Sequence, residues 1–318
     1  MLIAYSSWLG AGSDISRYYQ ILNGMRGKSL SWVMENGVYK ETVITNVYLW
    51  LIAQTGNNQL LPALSTGIIL FNILYFIRME SKRDTLELST QFTYLIVYFG
   101  IASFSAIMTG VRQDMMLSVL AIAMHRDLLQ KKRGVGTILL YVAACFIHNS
   151  ALLLIIVRLA SLAKGWTRYL FLAWGFLIPY AENYTELEGI FGEAAQKLDK
   201  YQGVADLDIR NILIRVVIMA MFFIILLILK KDDKQNRYYS FMQTLIIFCV
   251  GAMSVQHVYV RLLSAIGVYS LPLLADFRRR VKDNIWLLFL LVLMVLCLGM
   301  YAYQYVVIVN HWEFRDFR

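Results

Sequence analysis

"VGTILLYVAACFIHNSALLLIIVRLASL" (135–162) reads as one long apolar run interrupted at His148–Ser150, and the way it is threaded decides the orientation of everything after it. The chain around it is 59% hydrophobic and 16% charged, with a mean hydropathy of +0.57. Soluble domains are about 45–50% apolar and about 25% charged. Apolar stretches near the ~20 residues of a membrane-spanning helix recur throughout. They fall at about 41–55, 60–77, 90–108, 115–125, 135–157, 166–180, 211–229, 238–256, 262–275 and 284–309. The short alternating segments of a barrel are absent. The expected fold is therefore an all-α polytopic integral membrane protein with about eight to ten apolar helical segments. With no repeat or low-complexity linker, residues 1–318 are expected to form a single transmembrane domain.

Positive charge orients such a chain, because loops rich in Lys and Arg stay cytoplasmic. Arg78–Arg83, Arg126–Arg133, Lys230–Arg237 and Arg278–Lys282 are the strongest clusters. With the first inside, 90–108 exits, "TGVRQD" (109–114) faces outward, and the next segment returns to "RDLLQKKR" (126–133). A single crossing at 135–157 would then put the last two clusters outside. A helix that enters and turns back near His148 keeps them inside, together with Arg158, Lys164 and Arg168. Under that threading 18 of the 30 basic residues occupy five cytoplasmic loops. Each arm, about 13 residues or about 20 Å at 1.5 Å per residue, is too short to span but reaches past mid-membrane. Irregular backbone at that depth must be covered by protein or a water-filled cavity. A re-entrant or broken helix near residue 148 follows, with an acidic, amphipathic external loop at about 181–210. The segment 41–55 either spans, with 1–38 cytoplasmic, or is a half-helix, with 1–38 external.

The net charge of +9 is thus an orientation signal, and nucleic acid is not an expected partner. Cys145, Cys249 and Cys297 each lie alone in an apolar run, without zinc or disulfide spacing. No metal site or cofactor is expected. "MLIAYSSWLG" (1–10) has no basic n-region, so no cleavable signal peptide is expected.

Polar groups toward the outer side are the candidates for chemistry: Asp14 and Arg17, Arg112 and Asp114, His148, and His257 with Arg261, four apart on one helical face. Each has a plain structural reading. Arg112 could snorkel, His148 could pack against a carbonyl, Arg261 could anchor at the interface, and Asp14 could cap a helix. An arginine deep in hydrocarbon costs at least about 2.5–3.5 kcal/mol, so such residues usually line a functional cavity. Guanidinium groups suit phosphate, which they bind in bidentate fashion while staying charged.

With "GSDISRYY" (12–19), "TGVRQDMMLSVLAIAM" (109–124), "FIHNSALLL" (146–154) and "RLLSAIGVYSLPLL" (261–274) in this order, the chain resembles the EpsG-like family of Wzy-type polysaccharide polymerases. The resemblance implies a GT-C-like enzyme of the bacterial inner or plasma membrane. It would join undecaprenyl-diphosphate-linked oligosaccharide repeat units into a surface polysaccharide, without a metal, on the periplasmic or exterior face. Carried onto this sequence, its matching positions are Arg112, His148 and Arg261, with Asp14 and Tyr18 from the first element. Together with the other outer polar groups, Arg112, His148 and Asp14 are expected to be catalytic, and Arg112, Arg261, Arg17, His257, Asp114 and Tyr18 to bind pyrophosphate and sugar. His148 is the first candidate for general base, since histidine titrates near physiological pH. The partners implied are the lipid-linked oligosaccharide, the bilayer and, as a candidate, a chain-length regulator. The resemblance favours an external Asp14, and so a half-helix at 41–55. Two other readings stay open: a lipid-linked oligosaccharide transporter or flippase, and a membrane O-acyltransferase using His148 or His257.

Overall fold

The computed structural model describes residues 14–39, 42–83, 85–102, 111–163, 169–170, 209–230, 237–254 and 256–313. Among them the secondary structure is helical, with thirteen α-helices and no strand. The helices are α1 (Asp14–Met25), α2 (Leu30–Asn36), α3 (Val43–Gln54), α4 (Leu60–Arg83), α5 (Leu88–Ala102), α6 (Val111–Met124) and α7 (Val135–Ile147). Then come α8 (Ser150–Ala160), α9 (Ile209–Lys230), α10 (Arg237–Gly251), α11 (Gln256–Tyr269), α12 (Leu271–Arg280) and α13 (Asp283–Glu313). A π-helical turn, His125–Leu129, continues α6. The expected external loop at 181–210, apart from the start of α9, lies outside the described residues, as does most of the apolar run 166–180.

Contacts divide the chain into two compact units. One comprises 1–87, 102–155 and 301–318; the other comprises 88–101 and 156–300. The boundary falls inside α8.

In the first unit α6 is the central element, packed on α4 and α7, while α3 packs on α1, α2, α4 and α7. Two polar rungs fix the register of α4 and α6. Asn72 Nδ2 donates to Ser118 Oγ at 3.0 Å, and Glu80 Oε2 meets His125 Nε2 at 2.8 Å. Residue numbers rise together from one rung to the next, so the two helices run parallel. Arg112 lies six residues before Ser118, about 9 Å farther from the Glu80 end. At its other end α4 extends about 9 Å past that level. Helix α3 runs antiparallel to α4, tied by Tyr48 to Ser65 at 2.7 Å. Its 12 residues make it about 18 Å long, a half-helix rather than a span.

The break in 135–162 falls where the sequence places it. Helix α7 ends at Ile147, His148 is extended (φ −156°, ψ 129°), and α8 starts at Ser150. A break frees carbonyls that a continuous helix would use, and inside protein they need donors. Thr45 Oγ1 supplies one, to the Ile147 carbonyl at 2.7 Å. Thr45 is in the first turn of α3, so the break sits within about one helical turn of the level of Arg112.

The second unit contains a break that the sequence reading took for a single segment, 262–275. Helices α11 and α12 meet at Ser270 with a bend of 52° over Val258–Arg280. Pro272, at the start of α12, has no N–H and cannot donate to Val268 four residues earlier. Tyr94 Oη of α5 donates to that carbonyl instead, at 3.0 Å. Tyr238 Oη of α10 donates to the next one, Tyr269, at 2.5 Å. Gly100 allows α5 close to α13, since a Cβ there would lie 2.5 Å from Cys297 Sγ.

Among the described residues one helix, α4, is long and apolar enough to cross a membrane, and the bent α11–α12 pair counts as a second if it is one broken span. The remaining apolar helices contribute shorter apolar stretches of 10–17 residues, Val216–Leu229 within α9 and Asp283–Gly299 within α13 among them. The expected segments are mostly present, but several are shorter than a span because they are broken, at His148 and Pro272, or begin within the bundle, as α3 does.

Basic loops converge within each unit. In the first, Arg83 Nε donates to Glu80 Oε1 at 2.9 Å, Arg133 to Asp127 Oδ1 at 2.6 Å, and Arg126 to Thr137 Oγ1 at 3.1 Å. In the second, Tyr239 Oη donates to Asp276 Oδ2 at 2.8 Å, Asp276 also pairs with Arg279, and Arg280 reaches the Leu229 carbonyl at 3.5 Å. Loops assigned to one side by charge therefore meet at one end within each unit.

Candidate functional site

Arg112 is the second residue of α6, at the end of that helix opposite the Glu80–His125 pair. Its Nε donates to Tyr18 Oη at 3.0 Å. Its guanidinium carbon stands 3.5 Å from the centroid of the Tyr39 ring, a stacked cation–π contact. Tyr18, on α1, is only 8% exposed, and its ring lies 6.2 Å from that of Tyr39. Among the described residues no carboxylate pairs with Arg112. Two tyrosines thus hold a half-buried cation in one orientation without neutralising it, and no described residue bonds its terminal nitrogens.

Local sequence explains the arrangement. Ser29 caps α2 by accepting from Trp32 N at 3.2 Å. The helix stops at Gly37, where a Cβ would overlap the Val33 carbonyl and lie 3.1 Å from Asn46 Nδ2. The chain then turns through Tyr39, whose carbonyl accepts from Asn46 Nδ2 at 2.9 Å. Asn46 and Thr45 are adjacent on α3. One helical turn therefore fixes Tyr39 under Arg112 and ties down the end of α7 beside His148.

His148 Nδ1 accepts from Ser150 N at 3.1 Å and is 2.8 Å from Ser150 Oγ. A backbone N–H can only donate, so the neutral ring carries its proton on Nε2. The imidazole therefore caps α8 with one nitrogen and carries its N–H on the other.

The remaining candidates are distributed as follows. Arg17 is exposed on α1 and makes no hydrogen bond or ion pair among the described residues. Asp114 is 6% exposed in the first turn of α6, two residues and so about 200° around the helix from Arg112. It has no hydrogen-bond partner among the described residues, and the helix N-terminus favours a carboxylate there. Asp14 opens α1 and His257 lies in the first turn of α11; the side chains of both lie outside what is described. Arg261 is half-buried on α11, in the second unit. Tyr18, Arg112 and the His148 break thus meet around α3, within one unit.

Sequence reasoning missed Tyr39, which was indistinguishable from the many interfacial aromatics, and Thr45, whose role depends on a neighbour 102 residues away. It also passed over His125. That side chain lies buried between Glu80 and the edge of Phe76, whose ring centroid is 5.6 Å away.

These features define a helical membrane protein with an unneutralised arginine held beside a broken helix. The EpsG family model matches residues 1–312, so the chain belongs to the EpsG family, Wzy-type and exopolysaccharide polymerase-like membrane proteins. No curated protein and no solved structure matches the chain.

Proposed function

We propose that the chain polymerises undecaprenyl-diphosphate-linked oligosaccharide repeat units into a surface polysaccharide, by metal-independent glycosyl transfer at the outer face of the bacterial inner membrane. The observation that carries this reading is Arg112, fixed by Tyr18 and Tyr39 and paired with no carboxylate among the described residues. A hydroxyl of the acceptor unit attacks the anomeric carbon of the donor. The bond from that carbon to the diphosphate oxygen breaks, and the diphosphate departs with the bonding pair. Arg112 meets the developing charge with bidentate N–H donors already oriented, which is how electrostatic catalysis gains most. Arg261 is proposed as a further phosphate-binding cation, and the basic loops as cytoplasmic.

The hydroxyl proton needs an acceptor. With Nδ1 engaged by Ser150, His148 is set up to donate from Nε2, which suits the leaving diphosphate. To act as base it must first release that contact. Asp14, on the helix that carries Tyr18, is then the first carboxylate to test. A GT-C-like architecture and a chain-length regulator as partner belong to the same proposal.

The second broken helix, α11–α12, favours a transporter as the alternative, since transporters often build midplane sites from discontinuous helices. The surface polysaccharide of a deletion strain separates the two. Polymerase loss leaves single repeat units on the cell surface, and wild-type gene, but not Arg112→Ala, restores long chains. Absence of all surface repeats contradicts the polymerase reading and supports the transporter.

A further inference from the structure

A cleft of about 410 Å³ opens between α1 and α2, with Arg17, Gln20, Trp32, Asn36 and Val38 in its walls. Its walls come from the same two segments that hold Arg112. Arg17 precedes Tyr18, and Gly37 and Val38 precede Tyr39. Binding clefts commonly enclose about 300–1,000 Å³ and combine apolar surface with a few converging polar groups.

The lining has a particular chemistry. Trp32 is 38% exposed, and Lys28 Nζ stands 5.3 Å from its ring centroid. Arg17 and Gln20 are exposed and make no hydrogen bond or ion pair among the described residues. Asn36 donates from Nδ2 to the Trp32 carbonyl at 3.1 Å, which leaves its Oδ1 to accept. No carboxylate lines the cleft among the described residues. A flat aromatic ring with amide and guanidinium groups beside it matches a pyranose. One sugar face presents C–H groups to the negative π face, and the equatorial hydroxyls seek donors and acceptors at the ring edge. The walls are held in place from behind. Trp50 Nε1 donates to the Lys28 carbonyl at 2.9 Å, and Gln54 Nε2 to that of Met25 at 3.3 Å. A patch that merely met lipid tails would have no use for this set of uncommitted amide and guanidinium groups.

We infer that this cleft binds the glycan of the lipid-linked substrate, stacking a sugar ring on Trp32 beside the diphosphate-binding Arg112. The inference rests on the polymerase reading and adds the sugar subsite to it. The test uses oligosaccharides of one to three repeat units, released by mild acid from the producing cells' own surface polysaccharide. Binding to the full chain in nanodiscs is followed by saturation-transfer NMR. Wild type should bind; Trp32→Phe should stay within about threefold, while Trp32→Leu, equally apolar but without a ring, should weaken binding about tenfold or more. Gln20→Ala, on an exposed helix face, should weaken it about threefold while leaving the fold intact. No binding by wild type, or equal binding by Trp32→Leu and Trp32→Phe, overturns the subsite; equality would make Trp32 a bilayer anchor. Failure of the polymerase reading would show separately: a deletion strain would then lack all surface repeats while glycan binding by the purified chain still depended on Trp32.

Discussion

In the proposed reaction Arg112 acts by being held without a paired carboxylate among the described residues. Its Nε is committed to Tyr18 and its flat face to Tyr39, and no described residue bonds its terminal nitrogens. A lysine at the same place would keep the charge but lose the fork, the stacking surface and the Tyr18 bond. Tyr39→Phe keeps the ring and should leave the polymerisation rate nearly unchanged. Tyr39→Ala should lower it about tenfold, corresponding to a cation–π contribution of about 1–2 kcal/mol. Steady-state assays of chain growth check both. Tyr18→Phe removes one donor–acceptor contact and should cost up to about tenfold. The sequence singled out Arg112 and Tyr18 because an arginine beside an apolar run asks for an explanation. It could not single out Tyr39. A tyrosine between a valine and a lysine looks like any interfacial aromatic until the turn of α3 places it under the guanidinium.

At the scale of helices the recurring device is a break whose freed carbonyls are met from a neighbouring helix. Thr45 serves Ile147, and Tyr94 serves Val268 where Pro272 has no N–H. Tyr94→Phe leaves that buried carbonyl without a partner and should lower stability by about 1–3 kcal/mol, read as a fall in the thermal midpoint in detergent. Gly37→Ala forces a methyl into the Val33 carbonyl and toward Asn46. It should displace Tyr39 and reduce chain growth without removing any charged group, and a polymerisation assay with a size-exclusion check of folding reports this. Helix positions were largely legible. The apolar run at 60–77 became α4, and charge balance together with the polar interruption at His148–Ser150 located the break near His148. The break at Ser270 was missed because "VYSLPLL" (268–274) is apolar on both sides, so the segment 262–275 was read straight through its one proline. The half-length of α3 was one of two open readings, since Lys40, Glu41, Thr45 and Asn46 shorten its apolar run. The structure settles that length at 12 residues.

On the scale of the molecule, each compact unit gathers its basic loops at one end, and in the first unit Arg112 lies at the opposite end of α6 from that cluster. The ends are stabilised differently from lipid-facing surfaces. Glu80 and His125 are both buried and bonded at 2.8 Å, with Arg83 on the same carboxylate. Removing one partner of such a cluster typically costs about 3–5 kcal/mol, so His125→Leu should sharply lower folded yield from membranes. Nothing in the sequence marked His125 for this role, because its partner lies 45 residues away on a parallel helix. The central claim, that Arg112 receives the donor's diphosphate, is tested most directly by chain growth from a synthetic lipid-linked repeat unit with purified protein. Arg112→Ala should lower the rate about 10²–10³-fold, with Arg112→Lys recovering only a small part of it. Undiminished chain growth in both variants would contradict the account.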